Sequence, residues 1–125
     1  MPPNHAAAVI AEILGNDDLT QSWRAEIDII RSRIKASRNA LASAIFKCKP
    51  EYPQSHLRSQ KGMFSCFSLN EKQLNILEEE HRIYLLPCGK ETGKSKTSCI
   101  DYGRINFAAM AETQAERIAA SICSL

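Results

Sequence analysis

The 125-residue sequence lacks any apolar run of membrane-spanning length and lacks a strong excess of charge of either sign. Because a bilayer-spanning helix needs about 20 consecutive apolar residues, we predict no membrane insertion. The formal net charge of +2 indicates no particular charged partner. Met1 is followed by Pro-Pro-Asn-His, without the basic start and apolar block of a secretory signal, so we expect a cytoplasmic protein.

Cysteine spacing argues against both a disulfide framework and a zinc site. The five cysteines are odd in number, and no two of them form a C-x-x-C pair: Cys48, Cys66, Cys88, Cys99 and Cys123. We therefore predict reduced thiols, as in cytosolic proteins, and no bound metal. Cys66 and Cys123 are expected to be small core residues.

Hydrophobic periodicity predicts one unusually long helix in the first half of the chain, after a short helix over residues 6–14. Its apolar stripe is Trp23, Ile27, Ile30, Ile34, Leu41 and Ile45. Its basic residues lie mostly off that stripe: Arg24, Arg31, Arg33, Lys35 and Arg38. Since no aromatic residues accompany them, a solvated surface is a better interpretation than a nucleic-acid site. A helix of about 40 Å exceeds the size of a 125-residue globule, so part of the stripe should pack outside this chain.

The second half of the chain alternates strand-like runs with short helices. We predict strands within 62–69, 82–87 and 104–110. A helix capped by Asn70 should follow the first strand, and a helix over 112–123 should close the chain. This order predicts an α/β fold class of the α+β layer type, in which helices cover a small mixed sheet of about three strands. We expect residues 1–125 to form one domain.

The stretch 88-CGKETGKSKTS-98 resembles a phosphate-binding loop, but its spacing is wrong. Such a loop requires G-x-x-x-x-G-K-[ST], whereas three residues separate Gly89 from Gly93. The following residues also lack the apolar period of the helix that the loop must open. We interpret the stretch as an exposed loop that carries lysines.

Several segments together resemble the C-terminal small domain of class I, pyridoxal-phosphate-dependent aminotransferases of the aspartate and aromatic type. The resemblance covers nearly the whole chain. The segments that carry it are 2-PPNHAAAVIAEIL-14, 17-DDLTQSW-23, 61-KGMFSCFSL-69, 82-RIYLLP-87 and 103-GRINFAAM-110. The combination of G-M-F-S, I-Y-L-L-P and G-R-I-N is specific, although each motif alone would be weak.

The resemblance implies two substrate-binding residues. Arg104 falls on the family's arginine that binds the substrate α-carboxylate, which a guanidinium can do through two parallel hydrogen bonds. Phe64 falls where the family has an aromatic residue beside the substrate pocket. Judged without the resemblance, Arg104 would be a surface strand arginine and Phe64 an ordinary core residue.

The sequence also departs from the family pattern. Residues 89–102 read as an inserted loop, because in the family the I-Y-L-L-P strand leads almost directly into G-R-I-N. Ala6 replaces the usual glycine after the histidine, and the order within 64-FSCFSL-69 is changed.

The family's cofactor, pyridoxal phosphate, is held by a Schiff-base lysine and other groups that lie upstream of the matching segment. Lys90 and Lys94 lack the buried setting of such a lysine, and we assign no catalytic or cofactor-binding residue. We expect part of an enzyme that transfers an amino group between an amino acid and a 2-oxo acid, inactive by itself and without cofactor. A partner could be an aminotransferase subunit, in a homo- or hetero-dimer. The alternatives are an interaction module that docks on a full-length aminotransferase, and a gene fragment.

Overall fold

The computed structural model describes residues 4–52, 54–88 and 102–125. The chain divides into two compact units, Met1–Arg33 and Ile34–Leu125. The phosphate-loop-like stretch and the predicted insertion lie almost entirely in residues 89–101, outside the described residues.

The first unit contains helix α1, Asn4–Gly15, and the first half of helix α2, Asp17–Cys48. The Oδ1 atom of Asn16 accepts hydrogen bonds from the backbone N–H groups of Asp18 and Leu19, at 3.0 and 3.2 Å. Asn16 therefore caps α2. At 32 residues, α2 is about 48 Å long, which confirms the predicted long helix.

Apolar side chains in the first unit are largely exposed. Helix α1 buries no residue, and Trp23, Ile27 and Ile30 on α2 are each 44–45% exposed. These three residues belong to the predicted apolar stripe, whose later members Leu41 and Ile45 are fully buried. Their exposure agrees with the expectation that part of the stripe packs outside this chain.

The second unit contains the rest of α2 and a three-stranded sheet. The strands are β1 (Phe64–Ser68), β2 (Leu86–Cys88) and β3 (Tyr102–Asn106), in the order β1-β3-β2. Both pairings are antiparallel, so the sheet is not mixed within the described residues. The α/β fold class is confirmed, as is the sheet of about three strands. The predicted strand over 82–87 forms ladder pairs with β3 only from Leu86 onward, and Arg82 at its start has a left-handed backbone conformation with φ 55°.

Three helices accompany the sheet. Helix α3 spans Gln54–Ser59, helix α4 spans Glu71–Glu79, and helix α5 spans Ala115–Cys123 after a 3₁₀ turn at Glu112–Gln114. Asn70 caps α4 as predicted, through a capping box with Gln73 in which each side chain binds the other residue's N–H group. The cap satisfies backbone donors that the first helical turn would otherwise leave without partners.

One face of the sheet packs on the hydrophobic core, and the other is more open. Along β1 the side chains alternate, so that Ser65 and Phe67 are buried while Phe64 and Ser68 are exposed. The core joins residues from α2, α3, α4, α5 and the sheet. Its largest fully buried members are Phe67, Phe107, Leu41, Ile45, Leu57 and Leu77. Full burial of each is worth about 1.5–3 kcal/mol.

The ends of α2 and α5 are joined by a disulfide between Cys48 and Cys123, whose Cα atoms are 6.2 Å apart. The prediction of reduced thiols is wrong for this pair. Sequence spacing could not reveal it, because the two cysteines are separated by 75 residues. Cys66 is half-buried.

Candidate functional site

The candidate site lies on the more open side of the sheet. Strand β3 is central, and its Arg104 is in register with Cys66 on β1 and Leu86 on β2. Residues opposite each other in an antiparallel ladder point to the same side of the sheet, and so do residues two apart on one strand. Phe64, Cys66, Leu86 and Arg104 therefore share one side, which we name the open sheet face.

Arg104 and Phe64 are in direct contact on the open sheet face. The centre of the Arg104 guanidinium lies 4.6 Å from the centroid of the Phe64 ring, a cation–π arrangement. Phe64 is 38% exposed and Arg104 is half-buried, so both are accessible from this side. The structure thus brings together the two residues that were predicted from the sequence to bind substrate.

The Nε atom of Arg104 is buried and has no hydrogen-bond partner among the described residues. A buried N–H group without an acceptor is energetically costly, and in proteins such groups usually have a partner. A guanidinium that lies beside a ring and has a donor without an acceptor suits a planar anion such as a carboxylate.

Gly103 fixes how closely β3 approaches the core behind Arg104. A Cβ atom added at Gly103 would lie 2.8 Å from Leu74 Cδ2 and 3.1 Å from both Leu69 Cδ1 and Leu85 Cδ1. The backbone of β3 therefore rests directly on three leucine side chains. Only glycine permits this approach without movement of those side chains.

Arg38 is the residue of this region that the sequence analysis misjudged. It was placed among the solvated basic residues of α2, yet its side chain is only 4% exposed. Its Nε donates to Ser65 Oγ at 3.2 Å, its Nη2 donates to the Gly62 carbonyl, and its guanidinium lies 5.1 Å from the Phe107 ring centroid. Burial lowers the pKa of the Arg38 guanidinium below its ordinary value, because desolvation disfavours the charged form.

The sequence did contain a signal for Arg38. Ile34 and Leu41, neighbours in the apolar stripe of α2, are seven positions apart. Arg38 lies between them, four positions after Ile34 and three before Leu41. Arg38 therefore occupies a core position by periodicity. Arg38 was predicted to be solvent-exposed because its side chain is charged.

Comparisons with known proteins identify the family to which the chain belongs. The family model described as aminotransferase class I and II matches residues 1–122. The chain is 38% identical to an aromatic-amino-acid aminotransferase of Escherichia coli K12 over 89 residues, which is 71% of this chain and 22% of that protein. It is 34% identical to an aromatic-amino-acid aminotransferase of Pseudomonas aeruginosa over 113 residues, or 90% of this chain and 27% of that protein.

The fold agrees as well. A mitochondrial aspartate aminotransferase from Trypanosoma brucei superposes with a TM-score of 0.78 at 27% identity, covering 98% of this chain and 29% of that one. The chain belongs to the class I and II aminotransferase family, as the sequence resemblance indicated. It spans about a quarter of the length of the curated relatives it matches.

Enzymes of this family depend on pyridoxal phosphate, which is held through a lysine. The described lysines do not fit that role. Lys49 is half-buried and donates to the Ile122 carbonyl at 3.4 Å, while the remaining described lysines are exposed: Lys35, Lys47, Lys61 and Lys72. None of the five lies on the open sheet face, and we derive no step through the cofactor.

Residues 4–52, 54–88 and 102–125 contain no group of three or more histidine, cysteine or acidic side chains that could hold a metal ion. No helix in the same ranges is long and apolar enough to cross a membrane.

Proposed function

We propose that this chain provides the α-carboxylate-binding part of an aminotransferase that transfers an amino group between an amino acid and a 2-oxo acid. The observation that carries the proposal is the Arg104–Phe64 pair on the open sheet face, with the unpartnered Nε of Arg104 beside it. In this proposal Arg104 binds the carboxylate, and Phe64 holds the guanidinium and forms one wall of the pocket.

Arg104 has hydrogen-bonding capacity that no described residue uses at its Nε atom. A guanidinium presents its N–H groups as a planar fork, and a carboxylate presents two oxygens at matching spacing. Two parallel charge-assisted hydrogen bonds then fix both the position and the orientation of the substrate. Phe64 and Gly103 restrict the arginine before substrate arrives, which reduces the entropy lost on binding.

For the cofactor we propose that the lysine and the phosphate-binding groups belong to segments that the matched relatives have in addition to the part represented here. This chain alone would then bind no pyridoxal phosphate at a defined lysine and would have no transaminase activity. Mixing the chain with pyridoxal phosphate, reducing with borohydride and mapping the product by mass spectrometry tests this. Stoichiometric labelling of one lysine would contradict it.

For the partner we propose the remainder of an aminotransferase subunit, within a homo- or hetero-dimer. Support comes from the exposed apolar residues of the first unit, among them Ile10, Leu14 and Trp23, at 57%, 59% and 45% exposure. The matched relatives are about three times as long and so contain additional chain that could cover these residues. We propose a cytoplasmic location, in which the Cys48–Cys123 disulfide would be open to reduction by glutathione.

The test of the carboxylate role is a binding measurement on the 125-residue chain. Pyruvate, a small 2-oxo acid, is titrated while the NMR resonances of the Arg104 side chain and the Phe64 ring are followed. We expect Arg104→Met to weaken binding by about tenfold or more, because it removes the charge-assisted hydrogen bonds. Arg24→Met, at an exposed arginine of α2, is the matched control and should bind as the wild type does. Equal affinity of the wild type and Arg104→Met would refute the proposal.

A further inference from the structure

Arg38 and the Arg104–Phe64 pair are connected through one short segment, residues 62–65. Arg38 donates to the Gly62 carbonyl and to Ser65 Oγ, one on each side of Phe64 in the sequence. The ring of Phe64 is in turn the surface against which the Arg104 guanidinium lies. A buried cation on α2 therefore holds the residues that flank the ring of the candidate site.

The same segment is held from a second direction. The N–H group of Phe107, which follows β3, donates to the Met63 carbonyl at 2.7 Å. Phe107 is also the aromatic residue whose ring the Arg38 guanidinium covers. Arg38 thus contacts both the segment 62–65 and the residue that fastens this segment to the end of β3.

Stability alone gives a weak reason for an arginine at this position. Within the described residues no carboxylate forms an ion pair with Arg38, and its partners are a hydroxyl, a carbonyl and a ring. A buried charge is costly to desolvate, and apolar residues of similar volume often serve stability as well or better. What an apolar residue cannot do is hydrogen-bond Gly62 and Ser65 at the same time.

We propose that Arg38 is a positioning residue for Arg104, acting by fixing segment 62–65 and through it the Phe64 ring. This inference rests on the proposed function, in which Arg104 binds a carboxylate. Arg38 touches neither Arg104 nor the substrate in this account. It sets the direction in which the Arg104 guanidinium is held before substrate binds, which is the kind of preorganisation that raises affinity.

The first test needs no ligand. In the 125-residue chain, the Phe64 ring should shift the NMR resonances of the Arg104 side-chain protons upfield. Arg38→Lys keeps the charge but has no planar fork to bridge Ser65 and Gly62. We expect this variant to stay folded by circular dichroism and to lose most of the upfield shift. Arg24→Met should keep it. An unchanged shift in folded Arg38→Lys would overturn the inference.

The second test measures affinity for pyruvate. Arg38→Lys should weaken binding by about fivefold to tenfold, since a misdirected guanidinium loses part of its hydrogen bonding. If Arg38 acts through the ring, the loss should be much smaller in a Phe64→Leu background, in a double-mutant cycle. Full additivity of the two substitutions would overturn the inference.

Two cases need a further measurement: an Arg38→Lys variant that does not fold, and a wild type that does not bind pyruvate. If Arg38→Lys fails to fold, Ser65→Ala removes one of the two contacts with less disturbance, and the same ring shift is expected to decrease. Retention of the full shift in Ser65→Ala and in Arg38→Lys would contradict the role. If the wild type binds no pyruvate, the proposed function fails, and the ring shift still decides whether Arg38 positions Arg104.

Discussion

The close packing behind Gly103 leads to a sharp prediction for Gly103→Ala. The new methyl group would lie 2.8 Å from Leu74 Cδ2 and 3.1 Å from Leu69 Cδ1 and Leu85 Cδ1, all inside ordinary contact distance. Overpacking of this kind costs about 1–3 kcal/mol. Replacing glycine with alanine also stabilises the fold by about 0.4–1 kcal/mol, because alanine lowers the conformational entropy of the unfolded chain. The mid-range values, about 2 and about 0.7 kcal/mol, leave an expected net loss of about 1.3 kcal/mol, or about 5 °C in Tm.

Urea and thermal unfolding of the 125-residue chain measure this loss. Gly15→Ala is the matched control, because no atom lies within 4 Å of a Cβ added there, and it should be neutral or stabilising. Leu74→Val in the Gly103→Ala background removes the nearest methyl group and should recover part of the loss. Equal stability of Gly103→Ala and the wild type would refute the packing argument, as would a loss that Leu74→Val does not reduce.

Four other perturbations follow from the structure. Gly62→Ala places a side chain at φ +83° and should cost about 1–2 kcal/mol in urea unfolding; an unchanged midpoint would count against the turn geometry. Asn70→Ala removes the capping box and should cost about 0.5–2 kcal/mol, whereas Asn70→Ser should recover most of it. Reduction of the Cys48–Cys123 disulfide reopens a loop of 75 residues and should lower stability by about 2–4 kcal/mol, and free-thiol counting by mass spectrometry confirms the redox state. Burial raises the pKa of Tyr52 above its ordinary value of 10.0, so the unfolded chain ionises first and stability should fall as pH rises beyond 10; Tyr52→Phe should show a smaller fall.

Local sequence signals predicted much of the fold. The long helix followed from apolar spacing and the cap of α4 from Asn70. The strand predicted over 104–110 overlaps β3 only at residues 104–106, because the chain leaves the sheet after Asn106. The sequence did not locate the start of β2, since the run at residues 82–87 fits a strand by composition. Pairing with β3 decides the strand, and that information is not local.

The sequence predicted the candidate site residues that belong to a recognisable motif. It did not predict the residue that supports them through contacts distant in the sequence. Arg104 and Phe64 were named from a motif, and the structure puts them in contact. Arg38 was missed because its partners, Gly62 and Ser65, are 24 and 27 residues away. The Cys48–Cys123 pair was missed for the same reason. Contacts of this range depend on how α2 packs against the sheet and on α5.

The most direct test of the carboxylate-binding account is to follow the guanidinium N–H resonances of Arg104 during titration with pyruvate and, separately, with pyruvamide. Pyruvamide is neutral and lacks the carboxylate. We expect a saturable downfield shift of these resonances with pyruvate, as the half-buried guanidinium gains an acceptor, and little change with pyruvamide. The same response to both compounds, or no response to either, would contradict it.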